Sequence, residues 1–159
     1  LPNSLTPRPQ YEVKKNDVLM TRGGPNSRVG VVGFVENTRD KLILSDKLYR
    51  LVPKENIKPE YLSLALSSEA TQSHLSTMKT GMAESQTNIS QEIVKNLFIK
   101  VIDVEEQDKI IKILNVIEGN INTIKLELTK QQKIMTGLMQ DLLTGQVRVT
   151  ELLKEDVAL

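Results

Sequence analysis

The sequence predicts an α+β fold in which a small mixed domain is followed by one long, coiled-coil-forming α-helix. Three observations support this prediction. Short apolar segments alternate with polar turns in the first part of the chain, amphipathic helical segments follow Pro59, and an apolar residue recurs every seven positions between Val104 and Leu143. We therefore expect a globular domain over residues 1–102, a long helix over 103–145 and a short tail over 146–159.

The first part of the chain contains the strand patterns. The apolar segments 18–20 and 29–35 lie on either side of a polar loop with two glycines, which is typical of a β-hairpin with a long tip. Segments 41–44 and 48–52 are rich in Leu, Ile and Val, so we predict two further strands there. A last strand is predicted at 96–102, immediately before the long helix.

Pro59 marks the start of the helical part, because proline is well tolerated at the first position of a helix. A second helix is predicted from Glu69 to about Met78, and the polar segment 79–90 is predicted as a surface loop. After the long helix we expect a short strand at 146–149 and a terminal helix at 150–159. The apolar stripe expected for the first helix consists of Tyr61, Leu62, Ala65 and Leu66.

Two series of residues spaced by seven define a coiled-coil seam on the long helix. At about 1.5 Å per residue, a helix of this length would extend roughly 60 Å, so its apolar stripe needs a partner. The alternative is that the stripe packs along its own domain. Asp103 with Glu106 has the pattern of a capping box, and Thr144-Gly145 is a typical helix end. The seam consists of Ile110, Ile117, Ile124, Gln131 and Leu138 at d positions, and of Leu114, Ile121, Leu128, Met135 and Leu142 at a positions.

The charge is distributed unevenly along the chain. Residues 1–100 contain 14 Lys and Arg against 10 Asp and Glu, whereas residues 101–159 contain 7 against 10. The globular part is therefore the basic part, which favours a polyanionic partner only modestly. Aromatic residues make up 3% of the chain, which argues against stacking on single-stranded bases. No apolar run reaches the ~20 residues of a membrane span and no signal peptide is present, so we expect a cytoplasmic protein without membrane contact.

The chain has little material for an active site. It contains no cysteine and one histidine, His74, which excludes thiolate metal sites and histidine clusters within the chain. His74 lies in a predicted helical segment, where a solvated helix residue is the simplest interpretation. We therefore predict that the chain has no catalytic residues, no metal site and no bound cofactor, and that it is not a free-standing enzyme.

Two loops are candidates for binding nucleic acid. The first places arginine and amide side chains around glycines that would let the backbone approach a phosphate or a base edge. The second offers amide side chains that can bond to adenine. The alternative is that both are ordinary solvated loops. The candidate residues are Arg22, Gly23, Gly24, Asn26, Ser27 and Arg28 in the first loop, and Lys79, Thr80, Ser85, Gln86 and Asn88 in the second.

Several short motifs follow one another in order along residues 11–149: Lys15–Gly24, Val29–Val32, Tyr61-Leu62, Gly81, Gln86–Ile89, Leu97–Ile99, Glu106-Gln107 and the closing run Gly137–Val149. Their sequences and order resemble those of the specificity subunits of type I restriction–modification systems. The chain lacks the proline that the family usually has just before Glu106-Gln107, since residues 101–104 read Val-Ile-Asp-Val. It also begins with leucine, inside what would be the family's target-recognition domain, so we expect that it is the C-terminal portion of something longer.

This resemblance implies a subunit that recognises one half of a bipartite target in double-stranded DNA. The modification subunit would bind S-adenosylmethionine and methylate an adenine, and the restriction subunit would supply an ATP- and Mg-dependent translocase and nuclease. The long helix would be a spacer that pairs antiparallel with a second specificity half or with a second copy of the chain. Its segment 138–149 would dock the modification subunit. The competing interpretation is a coiled-coil adaptor without DNA specificity of its own.

Overall fold

The computed structural model describes residues 8–79 and 85–152, and it has the α+β fold that the sequence predicts. Short 3-10 turns at Pro9–Tyr11 and Asn26–Arg28 accompany the regular elements. In chain order these are β1 (Val18–Thr21), β2 (Gly23–Gly24), β3 (Val32–Phe34), β4 (Leu48–Leu51), α1 (Pro59–Ser67), α2 (Glu69–Met78), β5 (Thr87–Asn88), α3 (Gln91–Lys95), α4 (Val104–Leu143) and α5 (Val149–Leu152).

Strand β1 is the centre of a three-stranded antiparallel sheet with the order β3-β1-β4. Val18 lies opposite Phe34 on β3 and opposite Leu51 on β4, so the predicted hairpin of β1 and β3 is confirmed. Successive side chains of a strand point to opposite faces of its sheet, and Val18 and Met20 are both fully buried on one face.

The core of the domain consists of two small apolar clusters beneath this sheet. Val18 packs with Leu62 and Leu66 of α1, in one cluster. In the second cluster, Met20 packs with Leu75 of α2 and with Val29 and Ile89. Burial of each such side chain contributes on the order of 1.5–3 kcal/mol, so the alternation along β1 attaches both helices to the sheet.

Three of the predicted strands are wrong. Segment 41–44 makes only an isolated bridge between Glu12 and Ile43, since Lys41 has φ +61° and cannot continue an extended pairing. Segment 96–102 runs without a strand partner: the carbonyls of Phe98 and Lys100 accept hydrogen bonds from side chains of α2 and α1. Segment 146–149 turns instead of extending, because the Val147 N–H donates to the Asp141 carbonyl at 3.1 Å.

Helix α4 spans Val104–Leu143, within two residues of the predicted helix over 103–145. Its C-terminal end is a left-handed turn at Gly145, with φ +73°, whose N–H donates to the Leu142 carbonyl at 3.3 Å. By residue contacts the chain forms two compact units, Leu1–Ile111 and Lys112–Leu159, so the first two turns of α4 belong to the globular unit. The predicted division at 102/103 and 145/146 stays a prediction.

Candidate nucleic-acid interface

The two candidate loops are joined by a short antiparallel strand pair. Gly23 lies opposite Asn88 and Gly24 opposite Thr87, and the Ile89 N–H donates to the Arg22 carbonyl at 2.9 Å. Thr87 and Ile89 are buried, which corrects the prediction that segment 79–90 is simply a surface loop. Residues more than sixty positions apart in sequence therefore form one continuous surface.

Thr21 holds the base of the glycine loop closed. Its N–H donates to the Val31 carbonyl at 2.9 Å, and its carbonyl accepts the Gly30 N–H at 2.8 Å. Its hydroxyl accepts the Val31 N–H at 2.9 Å and donates to the Arg28 carbonyl. Both ends of the loop are thus fixed by one residue, and the exposed residues between them are Pro25, Ser27 and Arg28.

Arg22 is held from two sides. Its N–H donates to the Lys47 carbonyl at 2.8 Å, and its guanidinium carbon lies 5.1 Å from the centre of the Tyr49 ring. Such a cation–π contact is worth on the order of 0.5–2 kcal/mol, so it restricts the guanidinium to one side of the loop. The Tyr49 hydroxyl in turn donates to the Ile89 carbonyl at 3.1 Å, which links Arg22 to the second loop.

Helix α2 contacts the glycine loop along one of its faces. Gln72 Nε2 donates to the Gly30 carbonyl at 3.1 Å, and Leu75 packs directly against Gly30. Lys79 Nζ, just beyond the helix, donates to the carbonyls of Val29 at 2.9 Å and Asn26 at 3.3 Å. The structure therefore places Lys79 against the loop backbone, which is a different position from the exposed contact that its sequence suggested.

The remaining candidate residues are divided between exposed and partly buried positions. Asn26 is partly buried, and its Oδ1 accepts no hydrogen bond from any described residue. Thr80 lies outside the described residues, as does Gly81. Sequence reasoning missed three residues that reach the loops from elsewhere: Lys47 in the turn before β4, Tyr49 on β4 and Gln72 on α2. The exposed candidates are Ser27, Arg28, Ser85, Gln86 and Asn88.

The coiled-coil seam is largely exposed along α4. Leu114 is 39% exposed and Ile124 is 63% exposed, and the a and d positions between them lie in the same range. Within the described part of the chain, nothing covers these side chains. A groove of 460 Å³ in the last third of the helix is lined by Ile134, Met135, Leu138, Met139 and Leu142 together with their neighbours Gln131 and Leu143.

No constellation for catalysis appears among the described residues. His74 is exposed, as predicted, with its ring 6.3 Å from that of Phe98. Over residues 8–79 and 85–152, no group of three or more His, Cys, Asp or Glu is placed to hold a metal ion. In the same ranges no helix has both the length and the apolar character that crossing a membrane requires.

The family model of the type I restriction modification DNA specificity domain matches residues 4–136, which is most of the chain. The chain belongs to this family, which confirms the resemblance of its motifs. Specificity subunits are the non-catalytic components of these systems, so the family assignment also confirms that the chain is not itself an enzyme.

Individual relatives agree with this assignment. The specificity subunit of the type I restriction enzyme EcoEI from Escherichia coli is 42% identical over 139 residues, which are 87% of this chain and 23% of that protein. The putative type I restriction enzyme MjaX specificity subunit from Methanocaldococcus jannaschii is 30% identical over 139 residues, 87% of this chain and 32% of that protein. The specificity subunit of the type I restriction enzyme HindI from Haemophilus influenzae is 29% identical over 110 residues, which are 69% of this chain and 24% of that protein. The chain thus spans about a quarter to a third of the length of these relatives.

Proposed function

We propose that the chain recognises double-stranded DNA in the cytoplasm, as the sequence-reading component of a type I restriction–modification complex. In this proposal it reads one half of a bipartite target. The pairing of β2 with β5 is the observation that carries it. That pairing brings the start of the glycine loop, next to Arg22, beside Asn88 of the second loop, and arginine and amide side chains are common readers of base edges in the major groove.

The geometry favours this function over an adaptor with inert loops. An inert surface loop needs no support, yet the glycine loop is held by Thr21, by α2 and by β5 at once. Holding a loop rigid reduces the entropy lost when it binds, so a loop supported in this way favours a role in binding. An adaptor would bind its partner subunit normally and show no sequence preference among DNA duplexes.

The rest of the complex would be assembled through α4. The exposed seam fits an antiparallel pairing with a second specificity half or a second copy of the chain, with Gln131 fixing the register. The apolar groove near Leu138 and the following residues to Val149 would dock the modification subunit. S-adenosylmethionine would be bound by that subunit, and ATP and Mg by the restriction subunit, with no cofactor on this chain.

The test is to replace Arg22 or Arg28 by alanine within the assembled complex. Methylome sequencing of a host that carries the system first identifies the target. Loss of an arginine that reads a base should weaken binding to that target by about 1–3 kcal/mol, whereas loss of a phosphate contact should lower the salt dependence of binding. Electrophoretic mobility shifts over a series of salt concentrations measure both effects.

Arg39→Ala is the matched control, because Arg39 is an exposed arginine outside both loops. This variant should bind target DNA like the unchanged complex. If Arg22→Ala and Arg28→Ala also bind with unchanged affinity and salt dependence, the glycine loop does not contact DNA. If no variant of the complex discriminates between target and non-target duplexes, the adaptor is the better description.

A further inference from the structure

We infer that the two lysines next to the glycine loop, Lys79 and Lys47, have different roles. Lys79 is a positioning residue that holds the loop, and Lys47, which no motif singles out, presents its charge to the DNA backbone. This inference rests on the proposed DNA-binding function and assigns roles within that same surface.

The first step of the argument is the face that α2 turns toward the loop. Gln72, Leu75 and Lys79 are three and four residues apart, so they lie along one side of the helix and its end. All three contact the segment 26–30: Gln72 through the Gly30 carbonyl, Leu75 through Gly30 itself, and Lys79 through the carbonyls of Val29 and Asn26. The segment is therefore fixed to α2 at three successive points.

The second step concerns the Lys79 ammonium group. It has three donors, and two of them are directed at backbone carbonyls, at 2.9 and 3.3 Å. Hydrogen bonds from a charged donor are stronger than neutral ones, so removing this group should loosen the loop. Lys79 also borders a polar cleft with Asn26, Ser27 and Ser76, which makes a direct phosphate contact the competing role.

The third step concerns Lys47, in the turn before β4. Its side chain runs over the glycine strand: a Cβ atom added to Gly23 would lie 3.1 Å from Lys47 Cδ. Lys47 is exposed and makes no ion pair within the described residues, so its charge is available. Its carbonyl accepts the Arg22 N–H, which places the two cationic residues side by side at the start of the loop.

The experiment compares Lys47→Met with Lys79→Met in the full chain, because methionine keeps most of the apolar stem and removes the ammonium group with its charge and its donors. Two properties are measured: the salt dependence of affinity for a mixed-sequence DNA duplex, and amide hydrogen exchange of residues 28–31 without DNA. Lys47→Met should lower the slope of log affinity against log salt by about 0.9, the value of one phosphate contact, with unchanged exchange. Lys79→Met should raise exchange about tenfold and leave the slope unchanged.

Two further variants separate positioning from charge. Gln72→Leu removes the neighbouring hydrogen bond to Gly30 without any change of charge, and it should also raise exchange of residues 28–31 while leaving the slope unchanged. Lys79→Arg retains charge and donors, so it should restore slow exchange. Circular dichroism verifies that each variant is folded, so that the readouts refer to the native domain.

The outcomes separate this inference from the proposed function. A slope lowered by Lys79→Met with exchange unchanged would make Lys79 a phosphate contact and overturn its positioning role. An unchanged slope for Lys47→Met would overturn the role given to Lys47. If the unchanged chain does not bind the duplex at all, the DNA-contact role of Lys47 is overturned with it, whereas the exchange experiment still decides whether Lys79 holds the loop.

Discussion

At the candidate interface, both backbone conformation and side-chain packing restrict position 30 to glycine. Gly30 has φ +93°, a conformation that residues with a side chain rarely adopt. A Cβ atom at this position would lie 2.2 Å from Cδ2 of Leu75, a side chain that is fully buried, so Leu75 would have to shift to admit it. Glycine is therefore required here for two independent reasons.

Gly30→Ala should lower the free energy of unfolding by about 2–4 kcal/mol, through overpacking against Leu75 and backbone strain. Urea denaturation followed by circular dichroism measures this change. Gly33→Ala is the matched control, since a Cβ atom there meets nothing within 4 Å and φ is not positive. Equal effects of the two substitutions would show that packing against Leu75 is not the cause.

At the residue scale, the sequence could predict side chains within a loop but not those that reach it from elsewhere. Arg22 stands beside two glycines and Asn88 lies in a polar run, and both patterns can be recognised from neighbouring residues in the sequence. Tyr49 reaches Arg22 only because it pairs with Met20 across the sheet, and Lys47 lies over Gly23 through the turn before that strand. Such neighbours depend on strand register, which a single sequence does not display.

At the scale of elements, the start of α4 depends on one buried amide. Gln107 is fully buried, and its Nε2 donates to the carbonyls of Asn56 and Ile102, both at 2.8 Å. Its Oε1 accepts the Lys58 N–H at 2.8 Å. One side chain therefore satisfies backbone groups from the segment before α1 and from the segment that leads into α4.

Gln107→Ala should lower the free energy of unfolding by roughly 3 kcal/mol, because it removes a fully buried side chain and its three part-buried hydrogen bonds to the backbone. It should also speed hydrogen exchange at the Lys58 amide, which mass spectrometry of the intact chain can follow. Gln132→Ala, at an exposed position of the same helix, should change neither property. A Gln107 variant as stable as the Gln132 variant would show that solvent replaces these hydrogen bonds.

The elements differ in how well the sequence specifies them. The bounds of α4 follow from a heptad repeat and from Gly145, and both signals are local. Strand β5 has only two residues, and it exists because its partner lies in the glycine loop, so no local pattern indicates it. Segment 96–102 has the composition of a strand, but its carbonyls bond to Thr71 and Tyr61 instead of to a neighbouring strand.

For the whole molecule, the exposed seam of α4 is the feature that a single copy of the chain leaves uncovered. Ile121 is 44% exposed at a central a position. We expect the chain to dimerise through this seam, and a charge at Ile121 to prevent it, because an aspartate there would have to be desolvated. Analytical ultracentrifugation of Ile121→Asp should show monomers where the unchanged chain shows dimers.

Asn122→Asp is the control for this prediction, since it introduces the same charge one residue outside the seam. It should remain dimeric. A monomeric unchanged chain, or an Ile121 variant that dimerises as well as the control, would mean that the stripe does not mediate self-association.

The pairing of β2 with β5 also limits how recognition can be transferred between proteins. A glycine loop grafted from a relative would meet a foreign second loop, and the Asn88 side chain already lies where a Cβ atom at position 23 would stand, at 2.3 Å from Oδ1. The two loops form one interchangeable part even though the chain between them includes β3, β4, α1 and α2. Under the proposed function, an engineered change of target has to exchange both loops together, or move the whole segment from Thr21 to Ile89 as a single cassette.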